Sequence, residues 1–463
     1  VEAAATAPLW HDDPSWAALH GASASILPPR DVDVIVVGAG LSGMWTAWWL
    51  RQLRPEWSVA VVDTRGAGGG ASSRNGGWCS AVLPVSLGAV SASHGASVAT
   101  ELYRESIANV RTIGNFVAQH GINCDWRAGG TLVNATHASQ VATLQSDVRT
   151  WLQHGFRDAV RWLEPASVAD VINVARTHGA CFQDVCASLH PVRLLEGIVH
   201  CVRALGVTIH SPVTAHEIGT GAVLTDRGTI TTRHVVRATE AFTPAFRQYH
   251  RDVLPIYSLM VATEPLPDDV RRSLTWTDGT TFTDGGELVV YAQLTADGRL
   301  AFGGRGARTP YASRPLDPTE LSRRVHERLV TAMHGYFPAT ADVRITHRWG
   351  GAVAAHRTWW PAVYVDERTS SPEHTNLAIG GYVGDGVATS HLLAQRAAHL
   401  LADRGAPRHV LLADRPRRWE PEPMRWIGAQ LMISLISAID RREARRHAPS
   451  SVLRAVLRRI IGK

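Results

Sequence analysis

Asp33-Val34-Ile35-Val36-Val37-Gly38-Ala39-Gly40-Leu41-Ser42-Gly43 opens the stretch that decides the fold. Asp33 to Val37 reads as a strand, Gly38 to Gly43 as a tight turn, and the residues through Leu53 as a helix. A second strand, Val59-Ala60-Val61-Val62, ends in the acid Asp63 and is followed by Thr64 and Arg65. This βαβ order puts each residue type where a dinucleotide needs it. Gly38 permits the tight turn, Gly40 lets backbone approach a pyrophosphate, and Gly43 lets helix pack close on strand. Ala39, Leu41 and Ser42 complete the turn, and the helix N-terminus offers N–H groups and partial positive charge to phosphate. Asp63 lies about 20 residues past the last glycine, where an acid accepts ribose hydroxyls. A lone GxGxxG is weak evidence, but here strand, helix, second strand and acid agree.

No ordinary second crossover follows Asp63. The chain runs Gly66-Ala67-Gly68-Gly69-Gly70-Ala71-Ser72-Ser73-Arg74-Asn75-Gly76-Gly77-Trp78. So much glycine lets backbone lie flat against a ligand, and successive N–H groups form an anion-binding nest. On these residues the chain resembles the D-amino acid oxidase superfamily of FAD-dependent oxidoreductases, most of all its γ-glutamylputrescine oxidase branch. The resemblance runs from Asp33 to about Arg425 and implies an α/β fold. A Rossmann-type FAD-binding domain would be interleaved with an α+β substrate domain carrying a large mixed or antiparallel sheet.

The resemblance also implies where FAD is held. Gly70, Ala71, Ser72, Ser73, Arg74, Asn75, Gly76, Gly77 and Trp78 belong to its second glycine motif. Val213 touches the adenine side, Thr239 lies in the segment over the pyrophosphate, and Gly350 edges the isoalloxazine. Gly381, Tyr382, Gly384, Asp385, Gly386, Val387 and Ala388 open a helix whose N-terminus stabilises negative charge on the reduced ring. Many relatives have histidine at the position of Asp385, and an acid changes that field. Gly384-Asp385 is also similar to flavin hydroxylases, but Gly386-Val387 breaks that pattern. Relatives that tether flavin through cysteine do so from the C-terminal part, and no cysteine follows Cys201. Those that use histidine do so in the second glycine motif, where this chain has Arg74 or Asn75. The implied FAD is therefore non-covalent.

Composition bounds the class. The 463 residues accommodate two intimately packed domains, and 45% hydrophobic with 19% charged residues suit a soluble globular enzyme. Net charge is +6, yet Lys463 is the only lysine, so nearly all the positive charge is arginine, and the arginines are scattered. That distribution speaks against nucleic-acid binding. The five cysteines show no metal or disulfide pattern, so the expectation is a reduced, cytoplasmic protein without metal. The first thirty residues show no secretory h-region, and their prolines point to an extended arm. No apolar run reaches the roughly 20 residues of a membrane span.

The expected organisation is an arm over 1–30, FAD-binding segments over 31–92, 190–255 and 344–410, substrate segments over 93–189 and 256–343, and a basic helical extension over 411–463. Helices are expected over Ser97–His120, Ala138–Gly155 and His190–Leu205. Strands are expected at Tyr257–Leu266, Glu287–Tyr291 and Leu300–Arg305, forming a sheet over the reactive face of the flavin. Met424–Ile439 and Ser451–Ile461 read as apolar-striped helices. The arginines of the second allow contact with an anionic membrane surface, though docking on the protein itself is preferred.

The implied chemistry is oxidation of the C–N bond of an amine or amino acid, with hydride passing to flavin N5. The imine then hydrolyses, and oxygen is reduced to hydrogen peroxide. A quinone at the membrane is the alternative acceptor, since some relatives use a lysine near the flavin to promote reaction with oxygen and this chain has no internal lysine. A non-catalytic flavoprotein scaffold is the reading of another class. Tyr257, Tyr291, Arg305, His356 and Tyr382 are the candidate substrate contacts, and Trp78, Trp359 and Trp360 hint at an aromatic pocket. The family usually has arginine two places beyond the tyrosine, where this chain has Gln293. Arg305 is then the surviving cation for a substrate carboxylate. An arginine more often faces water, so the reading leans to an outward Arg305 and a simple amine.

Overall fold

The computed structural model describes residues 4–21, 27–313, 322–402, 410–411 and 415–446. Among these, two eight-stranded sheets dominate. The first has the order Ala362–Val365, Thr375–Gly380, Gly228–Arg237, Asp31–Val37, Val59–Val62, Thr208–His210. From Thr375–Gly380 to Thr208–His210 the pairs are parallel. Ala222–Thr225 and Ala215–Gly219 turn back antiparallel from Gly228–Arg237. Asp31–Val37 is central and covered on both faces. Val34 and Val36 pack with Met44 and Trp45 of the following helix, while Ile35 and Val37 pack with Val223, Phe246 and Tyr249. A strand buried on both faces needs apolar side chains at every position, so Val34-Ile35-Val36-Val37 shows no alternation.

The second sheet runs Ile345–Ala355, Leu254–Pro265, Arg299–Ala307, Val290–Leu294, Thr281–Asp284, Thr131–Asn134, Ala180–Gln183, Val160–Leu163. Its neighbours are antiparallel except at Thr281–Asp284 with Thr131–Asn134. That parallel seam joins strands from two distant parts of the chain. The helix Arg323–Tyr336 covers one face, where Leu329 and Met333 meet Leu259 and Phe302. Phe302 and Gly304 point that way, and a Cβ at Gly304 would lie 2.9 Å from Leu329. Alternation turns Gly303 and Arg305 to the opposite face.

Several expectations need correction. Residues 5–21 are not an extended arm: Leu9–Asp12 is a 3-10 turn, Pro14–Gly21 is a helix, and Leu9, Trp10 and Leu19 are buried. Pro14 starts that helix instead of preventing it, because the first helical position needs no N–H. The helix Ala96–Gln119, expected in the substrate segment 93–189, packs on helices Leu41–Leu53 and Gly386–Ala402. Phe116 lies 4.8 Å from Trp45, and Asn109 donates to the Ala388 carbonyl at 2.8 Å. Ile345–Ala355, expected in the FAD-binding domain, is the edge strand of the second sheet. The strand expected from Glu287 starts only at Val290, because the Asp440 carboxylate takes the N–H groups of Glu287 and Leu288 at 2.9 and 2.8 Å. A helix Met424–Arg446 covers the expected Met424–Ile439, and Ser451–Ile461 lies outside the described residues. Among the described residues no helix is long and apolar enough to cross a membrane.

Candidate active site

The parallel strands of the first sheet end at a cavity of about 370 Å³. Gly38, Gly40, Leu41, Ser42, Asp63, Thr64 and Arg65 line it, with Gly70, Ala71, Ser72 and Asn75 from the second glycine segment. Val213, Thr239, Tyr382, Gly384, Gly386 and Val387 complete the walls named from the sequence. Gly38 has φ +112°, and a Cβ there would sit 2.5 Å from the Ala238 carbonyl oxygen. At Gly43 a Cβ would lie 1.9 Å from the Gly38 carbonyl oxygen, which is the close helix–strand approach the motif exists for. Asp63 is held in place by N–H donors: Ala39 donates to Oδ2 at 2.8 Å and Arg65 to Oδ1 at 2.7 Å. Burial pushes its carboxyl up, and those donors oppose the shift. The Ser72 hydroxyl accepts from the Leu41 N–H at 2.9 Å, fastening the second glycine segment to the first turn.

Ala39, Gly43, Ser73, Gly77, Gly350 and Gly381 do not line this channel but shape it. Ser73 donates to the Gly68 carbonyl, and the Gly350 carbonyl accepts from Arg74. Gly77, at φ +68°, gives way to the Gln293 amide, and Gly381 to the His356 ring. The long cleft, the crowded glycines and the acid at its end fit an FAD diphosphate and ribose. The same strand ends carry no group of three or more His, Cys, Asp or Glu placed for a metal among the described residues.

A second cavity of about 370 Å³ adjoins the first. The two share Ala71, Asn75, Val353, Gly384 and Val387. Arg74, Gly76, Trp78, Tyr257, Tyr291, Arg305, Asp385 and Ala388 line the second, together with Asp284. The Tyr291 ring lies between two glycines, because a Cβ at Gly303 or Gly76 would approach it to 2.4 or 2.7 Å. Its hydroxyl is 2.9 Å from Ser258 Oγ, and its ring is 5.9 Å from Trp78. Arg305 faces this cavity, contrary to the outward expectation. One end of its guanidinium donates to the Val383 carbonyl, and it has no other hydrogen-bond acceptor among the described residues. Burial pushes the Asp385 carboxyl up to about 6, with Arg305 opposing. Asp284 also reaches about 6 by burial, although the Tyr336 hydroxyl donates to it at 2.8 Å.

Of the five candidate substrate contacts, the structure brings Tyr257, Tyr291 and Arg305 together. His356 lines neither cavity. It is buried, its Nδ1 donates to the Trp360 carbonyl at 2.8 Å, and burial pushes it down to about 4. The ring packs under the Gly381 turn. Tyr382 lines the channel instead of the second cavity, with its hydroxyl 2.7 Å from Ser42 Oγ. Trp359 and Trp360 line neither cavity, whereas Trp78 does. Gln293 is buried and donates to the Gly76 carbonyl at 2.7 Å, so it staples the glycine segment and leaves the cavity to Arg305.

Glu240 lies in the segment expected over the pyrophosphate, but nothing in the sequence assigned its carboxyl a role. Its carboxylate accepts from Gly381, Ala354 and Tyr382 N–H groups at 3.1, 3.2 and 3.4 Å, joining the strand Ile345–Ala355 to the Gly380–Tyr382 turn. Burial pushes it from 4.5 up to about 7, against those three donors. Between these pH values the folded protein keeps a proton that the unfolded chain has lost. The stability contributed by Glu240 is therefore full below about 4.5 and disappears as pH rises through about 7. Glu240→Gln cannot titrate, so it should gain on the native protein across that window by at most about 3 kcal/mol, because water in the open channel screens part of the effect. Thermal melts of both deflavinated proteins across the window check this, and parallel curves would contradict it.

These features suit a flavin-dependent redox enzyme, and comparison with known proteins gives that class. Residues 33–400 match the DAO family, FAD dependent oxidoreductase, and the chain belongs to it. FAD is accordingly its cofactor. Gamma-glutamylputrescine oxidoreductase from Escherichia coli K12 is 28% identical over 395 residues, covering 82% of this chain and 88% of the relative. Among solved structures, glycine oxidase from Geobacillus kaustophilus superposes with TM-score 0.68 at 18% identity, covering 83% of this chain and 97% of that one. L-proline dehydrogenase from P. horikoshii gives TM-score 0.68 at 17% identity, with 83% and 96% covered. At such identities the structural likeness speaks for the fold.

Proposed function

We propose that this enzyme oxidises the C–N bond of a small amine that also carries a carboxylate, with oxygen as electron acceptor and hydrogen peroxide as product. The observation that carries the reading is Arg305, whose guanidinium faces the second cavity with a single protein acceptor among the described residues. A guanidinium in a cavity matches a carboxylate by paired N–H bonds. The names of the relatives support it: one acts on gamma-glutamylputrescine, another on glycine.

FAD, when bound, supplies the hydride acceptor. The chain's residues do the rest. Arg305 holds the substrate at one end. Tyr257, Tyr291 and Trp78 wall the cavity and exclude water, which fixes the reacting carbon and keeps the amine from solvent protons. The helix Gly386–Ala402 starts at the junction of the two cavities, where its positive end favours negative charge. Asp385, anionic above about 6, balances the charge of Arg305.

A panel of amines with and without a carboxylate tests this, scored by peroxide release in air and by dye reduction under nitrogen. Peroxide formation fastest with carboxylate-bearing amines is the expected result. Dye reduction without peroxide would move the acceptor to a quinone, and no turnover of any amine would reject the reading. Acid precipitation of the same preparation should leave a colourless pellet and a yellow supernatant, as non-covalent FAD requires.

A further inference from the structure

Residues 5–20 lie before the family match of 33–400 and grip the second glycine segment from behind. Trp10 is buried, and its Nε1–H donates to the Asn75 carbonyl at 2.9 Å. His11 Nε2 lies 2.9 Å from Ser73 Oγ. The Ser73 hydroxyl gives its single proton to the Gly68 carbonyl at 2.7 Å, because a carbonyl only accepts. His11 Nε2 must therefore be the donor. Burial holds the ring neutral by pushing it down to about 3, so one tautomer is selected. The ring stacks on Trp16 at 3.5 Å. His20 then fills the space that a side chain at Gly66 would occupy, 3.0 Å from a Cβ there, while at Gly68 Leu195 is the close neighbour and Trp16 is in ordinary contact at 3.6 Å.

The grip is anchored elsewhere. The Ala5 N–H donates to the Thr346 carbonyl at 2.7 Å, and Asp12 pairs with His347 at 3.0 Å. Asp13 accepts from Arg193 Nε at 2.8 Å on the helix Pro191–Ala204. The front of the gripped segment is the ligand side: Ala71 and Asn75 line both cavities, Ser72 the first, and Arg74 and Gly76 the second.

We propose that residues 5–20 are a clasp that pre-orders the cofactor loop and sets how tightly FAD is retained, with Trp10 and His11 as its positioning residues. A segment holding Gly66, Gly68, Gly69, Gly70, Gly76 and Gly77 loses more backbone freedom on ordering than one with side chains at those positions. With the clasp closed, that ordering is complete before FAD arrives. With it open, FAD binding must supply it.

The test is the rate of FAD release from the holoenzyme, read by flavin fluorescence, with the Kd of the deflavinated protein and the visible circular dichroism of bound FAD. Trp10→Phe keeps the ring in the core and deletes the N–H, and should speed release about tenfold. His11→Leu should do likewise, and the double variant should release FAD faster than either single variant but less than the product of the two, because both act on one loop. His11→Gln carries a donor to nearly the same place and should restore slow release to within about threefold. Phe337→Leu, in the core of the second sheet, is the control for general loss of stability. Release unchanged in Trp10→Phe, or accelerated in all variants only in step with their melting temperatures, overturns the clasp. Trp10→Phe alone decides the matter if the His11 variants do not fold.

Discussion

Gly40→Val should purify without its flavin, holding less than about a tenth of the normal FAD. A Cβ at Gly40 already lies 2.9 Å from Ser72 Oγ, the atom that accepts from the Leu41 N–H. Valine adds two methyl groups beyond that Cβ, into the channel between the two glycine segments. With the Cβ already against Ser72, the added methyls force the two segments apart and take up space in the channel that would hold the diphosphate. Backbone conformation is not the obstacle, since Gly40 has φ −80°, open to any residue. The absorbance ratio of protein to flavin on the purified variant measures the effect. Circular dichroism in the far ultraviolet should show the fold retained. Full flavin occupancy would mean that the channel is not the cofactor site.

Arg305→Lys should raise KM for carboxylate-bearing amines about thirtyfold while kcat stays within about threefold. The lysine keeps the charge but loses the planar fork, and one charge-assisted bond of about 2 kcal/mol goes with it. Simple amines should respond by less than about twofold, because they never use the fork. Steady-state kinetics on both classes, at matched FAD content, separate the outcomes. Equal losses on both classes would show that Arg305 supports the Val383 turn and not the substrate. No loss on either would return the substrate to a plain amine.

Much of this was legible because its causes are local. Strand, turn, helix and acid from Asp33 to Asp63 succeed one another within a few residues, so periodicity and glycine spacing suffice. The facing of Arg305 was misread on the general habit of arginines. Strand alternation from Phe302, a core residue, gives the inward direction, but the glycines at 303 and 304 hide the pattern. His356 was named for its chemistry, yet its ring is spent on filling the space beneath Gly381. Glu240 lies in a segment expected over the pyrophosphate, but its role is not legible there, because its three donors come from positions 354, 381 and 382. The extended arm expected over 1–30 rests on its prolines, 8 and 14 among them. In the structure these two precede and start short helices that bury Trp10 against Trp349 and His190.

Ala71, Asn75, Val353, Gly384 and Val387 belong to both cavities, so whatever fills one supplies surface to the other. The molecule therefore imposes an order of assembly. The second chamber is a finished cup only after the first is filled, and the deflavinated protein should bind a non-reactive substrate analogue weakly or not at all. Linkage makes the coupling reciprocal. An analogue seated in the second chamber must tighten the hold on FAD by the same factor by which FAD tightens the hold on the analogue. Working enzyme would thus keep its flavin longest when substrate is plentiful and shed it most readily when starved.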